Sequence, residues 1–331
     1  METQPMPFPE SLQEAMVYFA DAKRGFDFMC GLRWPQGKVL CPHCQSERVS
    51  LVSTRHIFKC MSKTCHKQFS PKVGTIFEDS ALGYDKWFPA MWMIVNAKNG
   101  ISSYEIARAL RVTQKTAWFM LHRIRLAMDS GSWGPFEGEV EADETFIGGN
   151  VTKMNRKQKS KLTSARGSLD KVPVMGVLQR NTEEQPSQVA AQAVNEVSHA
   201  KIVPAILRKV KPGSTLYTDA YPTYRALAHA YVHHVIDHNV SYVEGKVHTN
   251  GIENFWNLLK RTLKGTYVSV DPVHLHRYVM EQIFRFNERK GSDGSRFAMA
   301  ARGILGRGLS YLDLIEGKGG EDLPPQTAGA W

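Results

Sequence analysis

No stretch of the chain approaches the roughly 18 consecutive apolar residues that a membrane span needs, although apolar residues fill 42% of its 331 positions. Residues 1–25 lack a basic stretch followed by an apolar one, so no secretory leader is expected. Cysteine is scarce, at five residues, too few to staple a chain of this length. Acid is the minority charge: 42 Lys and Arg minus 32 Asp and Glu leaves +10. These shortages argue against a membrane protein, a disulfide scaffold and a fibrous or disordered chain. The basic excess favours a polyanionic partner, with nucleic acid first among the candidates. At about 150 residues per domain, two or three domains are expected.

Four of the five cysteines cluster. Cys41-Pro42-His43-Cys44 is followed by Cys60 and Cys65. In a reducing compartment, paired cysteines at short spacing mean metal more often than disulfide. Each pair on a turn aims two thiolates at one tetrahedral ion, so the spacing predicts a zinc ribbon held by Cys41, Cys44, Cys60 and Cys65. His43 and His66 are alternative ligands, because the second pair is looser than the first. Strands are expected at 48–52 and 55–59, feeding the two turns. Residues 35–75 hold too little apolar mass for a core of their own without the ion. Cys30 reads as an ordinary buried thiol.

Helices are expected over 10–30, 84–98, 102–110 and 113–128. Ser102 and Glu105 form a capping-box signature, and Thr113 can cap the last helix. The last two, joined by Arg111-Val112-Thr113, have the length and turn of a helix-turn-helix, with Arg111 where a turn glycine is usual. Lys115, His122, Arg123 and Arg125 place positive charge near the candidate recognition helix. Arg123 and Arg125 are therefore expected to contact DNA. A pair of ordinary core helices is the plainer alternative.

Beyond the break at 131–135 the period changes to two. Glu137, Glu139, Glu141 and Asp143 share one strand face, with Val140 and Ala142 on the other. Like charges in a row repel, so either solvent or a divalent cation must compensate. Further strands are expected at 172–180, 188–197 and 214–219, with a helix near 201–210. The strand at 214–219 delivers Asp219 at its C-terminal end, where open α/β sheets place ligand sites. Residues 151–171 carry seven basic side chains against one acid, a net of +6. The run, with Lys153, Arg156, Lys157, Lys159 and Lys161, is expected to be a mobile loop that grips phosphates. On a helix over 250–264, Asn250, Glu253, Asn257, Lys260 and Lys264 share one face, opposite the stripe Ile252, Phe255, Trp256, Leu259 and Leu263. Glu253 could complete a carboxylate trio with Asp143 and Asp219, and Lys260 could hold a phosphate two turns on. Such a trio suits two divalent metals and an in-line displacement.

The blocks Glu141–Gly149, Tyr217–Tyr221 and His248–Trp256 resemble those of DDE transposases of bacterial insertion sequences. The ISXO2-like group also carries a ribbon similar to Arg33–Gly37 with Cys41–Cys44, followed by a block like Gly74–Ser80. The similarity covers roughly residues 10–290, with the blocks in order and 33 residues between Asp219 and Glu253. The resemblance implies an α/β chain: N-terminal helix and zinc ribbon over 1–75, helical DNA-binding segment over 76–130, RNase H-like catalytic domain over 137–290 and a C-terminal tail over 291–331, disordered past Gly317. It also implies Mg²⁺ or Mn²⁺ on Asp143, Asp219 and Glu253, Zn²⁺ in the ribbon, and Lys260 beside the chemistry. Its implied partner is double-stranded DNA, as terminal inverted repeats and target, bound by a homo-oligomer in the cytoplasm at the nucleoid. Carboxylate brings full charge as well as an oxygen, which favours Glu253 as third ligand over Asn250, one turn earlier on the same face. Asn250 would then orient it or contact DNA. A non-catalytic zinc-ribbon regulator, or a nuclease that cuts without joining, is the rival reading.

Overall fold

The computed structural model describes residues 7–129, 134–148, 171–194, 196–220, 222–236 and 248–316. The basic run containing Lys153, Arg156, Lys157, Lys159 and Lys161 lies outside them. The chain forms two compact units, one within Met1–Ser130 and Gly291–Trp331, the other within Gly131–Lys290.

The first unit opens with α1 (Leu12–Ala20) and α2 (Ala22–Arg33), not the single helix expected over 10–30. Asp21 breaks the run: its backbone is extended, and its side chain accepts the Lys23 N–H at 2.8 Å to cap α2. Three short antiparallel strands follow, β1 (Val49–Val52), β2 (Ile57–Cys60) and β3 (Gln68–Phe69). Their few apolar side chains, Phe58 and Phe69, pack with Phe26 of α2 and with Trp34. Helices α3 (Tyr84–Asn96), α4 (Ser103–Leu110) and α5 (Gln114–Met128) agree closely with the expected spans. The Ser102–Glu105 capping box forms, and Arg111 adopts the left-handed conformation that ends α4.

Two expectations are corrected in this unit. Residues 291–316 are not a tail. They fold back as two helices, α9 (Asp293–Arg302) and α10 (Tyr311–Ile315). Phe297 of α9 is fully buried, with its ring 5.1 Å from Trp92 and 5.6 Å from Phe19. Aromatic rings of this size dominate core energetics, so the C-terminal segment completes the N-terminal core. The disorder expected past Gly317 falls outside the described residues. Arg123 and Arg125 are the second correction: they are 6% and 2% exposed and face the core, not a DNA groove. The whole of α5 from Met120 to Met128 is buried. Arg123 donates from Nε to the Leu309 carbonyl at 2.9 Å and from Nη2 to the Glu78 carbonyl at 2.8 Å.

The second unit is a five-stranded sheet in the order β6-β5-β4-β7-β8. Its strands are β4 (Glu139–Gly148), β5 (Lys171–Gln179), β6 (Gln188–Ala193), β7 (Thr215–Asp219) and β8 (Val232–Ile236). The first three are antiparallel neighbours; β7 runs parallel to β4, and β8 parallel to β7. Helices cover both faces. Val140, Ala142, Met175 and Val177 pack against Ile202 and Ile206 of α6 (His199–Lys209). Val174 and Leu178 pack against Ile252, Phe255 and Trp256 of α7 (Asn250–Thr262), with α8 (Leu275–Asn287) alongside. The period of two in β4 thus sends Val140 and Ala142 to α6 and Glu141 and Asp143 toward α7. Among the described residues, no helix is long and apolar enough to cross a membrane.

Arg123→Ala removes two charge-assisted bonds to carbonyls, one buried and one partly buried, at about 1.5–3 kcal/mol each at most. The expected outcome is a melting temperature lower by several degrees. An unchanged melt, with a lost footprint on DNA, would return Arg123 to the binding surface.

Candidate functional site

The ribbon holds the first candidate site. Cys41 precedes a turn closed by the Gln45 N–H on its carbonyl, and Cys60 ends β2. The four Sγ atoms lie within 4.8 Å of one another, with Cys41–Cys65 at 3.8 Å and Cys44–Cys60 at 3.6 Å. Zn–S bonds of about 2.3 Å in a tetrahedron put sulfurs roughly 3.8 Å apart, so these thiols fit a zinc ion closely. Burial opposes the Cys41 thiolate, but N–H bonds from His43 and Cys44 outweigh it and lower its pKa to about 7. His43 and His66 stand outside this group of ligand atoms.

The second site is built on β4. The last parallel pair of β4 and β7 is Glu141 with Tyr217. Two residues further along each strand stand Asp143 and Asp219, the last residue of β7, close enough for the Asp219 charge to act on the Asp143 carboxyl. Helix α7 lies over this corner and brings Glu253 in its first turn. Thr249 donates from Oγ1 to the Glu253 carboxylate at 3.0 Å. Asn250, the first residue of α7, is exposed, as are Glu253 and Lys260. Lys260 is two turns, about 10 Å, along the helix from Glu253.

Each acid of the β4 row has a different partner. Glu137 pairs with Lys211 at 2.5 Å, Glu139 with Arg180 at 3.5 Å, and Glu141 with Arg180 at 2.8 Å. Among the described residues Asp143 has no cationic partner. It accepts the Trp256 Nε1–H at 3.0 Å. Burial pushes the Asp143 carboxyl up to about 6, and the charges of Asp219 and Glu253 add to the rise. The three carboxylates therefore share one electrostatic neighbourhood. Neighbouring carboxylates supply hard oxygen ligands of the kind that divalent cations take. Among the described residues, only the four cysteines bring their ligand atoms close enough together to surround a single ion; the carboxylate oxygens of the trio are not gathered in that way.

Sequence reasoning missed several residues here. Trp256 reads as core, yet its indole N–H orients Asp143. Gly176, opposite Asp143 on β5, makes room for it: a Cβ there would lie 2.7 Å from the Trp256 ring. Glu144 points to the opposite face, where it accepts the Tyr224 hydroxyl. Burial, with the charges of Asp219 and Asp143, raises its carboxyl to about 7. Arg180 reads as the end of a strand. Only the pairing of strands and helices places these groups beside the acids.

Cys41→Ser should lose bound zinc and unfold the ribbon, read by metal analysis and by proteolysis of the N-terminal segment. Zinc-free protein that keeps a protected ribbon would remove the ion from its structure. The Asp143 carboxyl makes a second prediction. Its folded pKa near 6 exceeds the usual 3.8, so the folded state binds the proton more tightly. Stability therefore falls as pH rises from about 4 to 6, and the cost is complete at pH 7. Without divalent ions, Asp143→Asn should be more stable than the parent at pH 7, by up to about 2–3 kcal/mol. The gain should vanish below pH ~4. A gain that persists there in thermal melts would place its origin outside the charge.

Two segments of the chain match known protein families. Residues 23–68 match the transposase zinc-ribbon domain and residues 135–287 the ISXO2-like transposase domain. An uncharacterized protein in transposable element ISH50 of Halobacterium salinarum is 29% identical over 255 residues, 74% of this chain and 84% of that protein. An uncharacterized transposase-like protein of Haemophilus influenzae is 36% identical over 101 residues, 30% of this chain and 81% of its own length. No solved structure matches the chain. With a cysteine cluster shaped for zinc and a mixed sheet carrying an acidic corner, the chain belongs to the ISXO2-like transposase family.

Proposed function

We propose that this chain cleaves DNA at the ends of an insertion sequence and joins those ends to target DNA. One observation carries the reading: Asp143 and Asp219 stand on adjacent parallel strands, beneath the helix that brings Glu253. The strand order, with the first strand central between the antiparallel second and the parallel fourth, supports an RNase H-like assignment.

Asp143, Asp219 and Glu253 would hold Mg²⁺ or Mn²⁺. Two such ions, when bound, supply a polarised nucleophile and neutralise charge at the leaving oxygen. The chain's own residues do the rest. Trp256 fixes one Asp143 oxygen, and Thr249 fixes one Glu253 oxygen. Lys260, on the same helix face as Glu253, would bind a phosphate near the reacting strand. Asn250 would contact DNA beside Glu253.

Terminal inverted repeats would be read by the first unit. With Arg123 and Arg125 buried, the recognition surface of α4 and α5 passes to exposed Arg108, Arg111, Thr113 and Lys115. Recognition helices of this motif present their N-terminal residues to the major groove, which suits Thr113 and Lys115. The basic run over 151–171 would add phosphate contacts without sequence choice. Pairing of two element ends calls for a homo-oligomer on DNA, in the cytoplasm at the nucleoid.

Asp143→Ala, Asp219→Ala and Glu253→Ala should each lower Mg²⁺-dependent cleavage of a terminal-repeat substrate by on the order of a thousandfold. DNA binding should hold or tighten, because negative charge is lost. An active Glu253→Ala beside a dead Asn250→Ala would hand the third position to Asn250.

A further inference from the structure

Glu141 belongs to the acidic row of β4 but is spent differently from its neighbours. It lies two residues before Asp143 on the same strand face and is 1% exposed. Its Oε2 accepts the Ile252 N–H at 2.9 Å, and its Oε1 accepts the Arg180 Nε–H at 2.8 Å. Thr249, which precedes α7, makes no side-chain cap. A first-turn N–H of α7 is therefore satisfied from the sheet, by a full negative charge at the positive end of the helix. Gly251 makes the approach feasible: a Cβ there would lie 2.8 Å from Glu141 Oε2.

Arg180 locks the carboxylate in place. Its side chain is 11% exposed and lies over the Tyr217 ring at 4.0 Å. Its Nη2 donates to the His248 carbonyl at 2.5 Å, gripping the chain just before α7. The Glu141–Ile252 bond also has a twin in the Trp256–Asp143 bond. Glu141 to Asp143 is two strand residues, roughly 6.6 Å. Ile252 to Trp256 is four helical residues, about 6 Å. A backbone N–H and an indole N–H of α7 are thus both tied to carboxylates of β4. Glu253 is the next residue after Ile252.

We propose that Glu141, locked by Arg180, is a positioning residue: it caps α7 and sets where Glu253 stands relative to Asp143, and it is not a ligand of the divalent ions. The consequence for cleavage rests on the proposed function, whereas the consequence for the helix does not.

The test compares the full chain with Glu141→Gln, Glu141→Ala and Arg180→Gln. Hydrogen exchange over 248–258 is measured alongside Mn²⁺ titration and single-turnover cleavage of terminal-repeat DNA. Glutamine keeps an acceptor for Ile252 but loses the charge, so exchange in the first turn of α7 should rise on the order of tenfold. Alanine should raise it further, and Arg180→Gln should loosen the same turn. Cleavage by Glu141→Gln should slow about as much, with unchanged DNA affinity and unchanged Mn²⁺ stoichiometry. If Glu141→Ala does not fold, the two glutamine variants decide. Unaltered exchange in α7 across the folded variants, or one Mn²⁺ equivalent lost from Glu141→Gln, overturns the proposal. A parent protein that neither binds Mn²⁺ nor cleaves DNA would sink the proposed function, while the exchange measurement still decides the role of Glu141.

Discussion

The sheet unit depends on how one strand face disposes of its negative charge. Glu139, Glu141 and Asp143 all point from β4 toward α7, and carboxylates in a row repel. The fold separates their fates. Arg180 neutralises the first two, and the N-terminus of α7 takes a share of the second. Asp143 keeps an indole N–H and no cation among the described residues, which leaves its carboxyl near pKa 6. Charge is thus cancelled where the helix must sit, while Asp143, one strand step on, is met by the indole N–H. A buried, unneutralised charge costs stability, and such a cost persists where a site needs it.

The first unit solves a different problem. Its ribbon has little apolar mass, and four sulfurs at tetrahedral spacing substitute for a core. Its helical part draws the missing volume from the far end of the chain, where Phe297 packs among Phe19, Phe28, Phe88 and Trp92. Arg123, buried in the same unit, donates to the Leu309 and Glu78 carbonyls. A basic residue at helical spacing is thus no guide to a nucleic-acid surface until its burial is known.

Much was legible in the chain itself because the relevant signals are local. Cys41, Cys44, Cys60 and Cys65 announce a ribbon through spacing alone. The capping box at Ser102 and Glu105 starts α4 where expected. The alternation from Glu137 to Asp143 gives β4 and its two faces, and the stripe from Ile252 to Leu263 gives the buried side of α7. The blocks around Asp143, Asp219 and Glu253 point to the family. By contrast, Asp21 divides the first helix through a side-chain cap that apolar periodicity does not register.

Tertiary structure decided what depends on contacts between distant residues. Arg180 and Glu141 are 39 positions apart, and Trp256 and Asp143 are 113 apart. No local period relates them; strand pairing and the docking of α7 do. The same holds for Arg123, which charge alone placed on a surface and packing placed in a core, and for residues 291–316, whose polar and glycine-rich composition concealed Phe297. The sequence by itself determined which groups could carry charge, metal and helix. Only the fold decided which charges are cancelled, because cancellation depends on burial and on partners a few ångströms away in space.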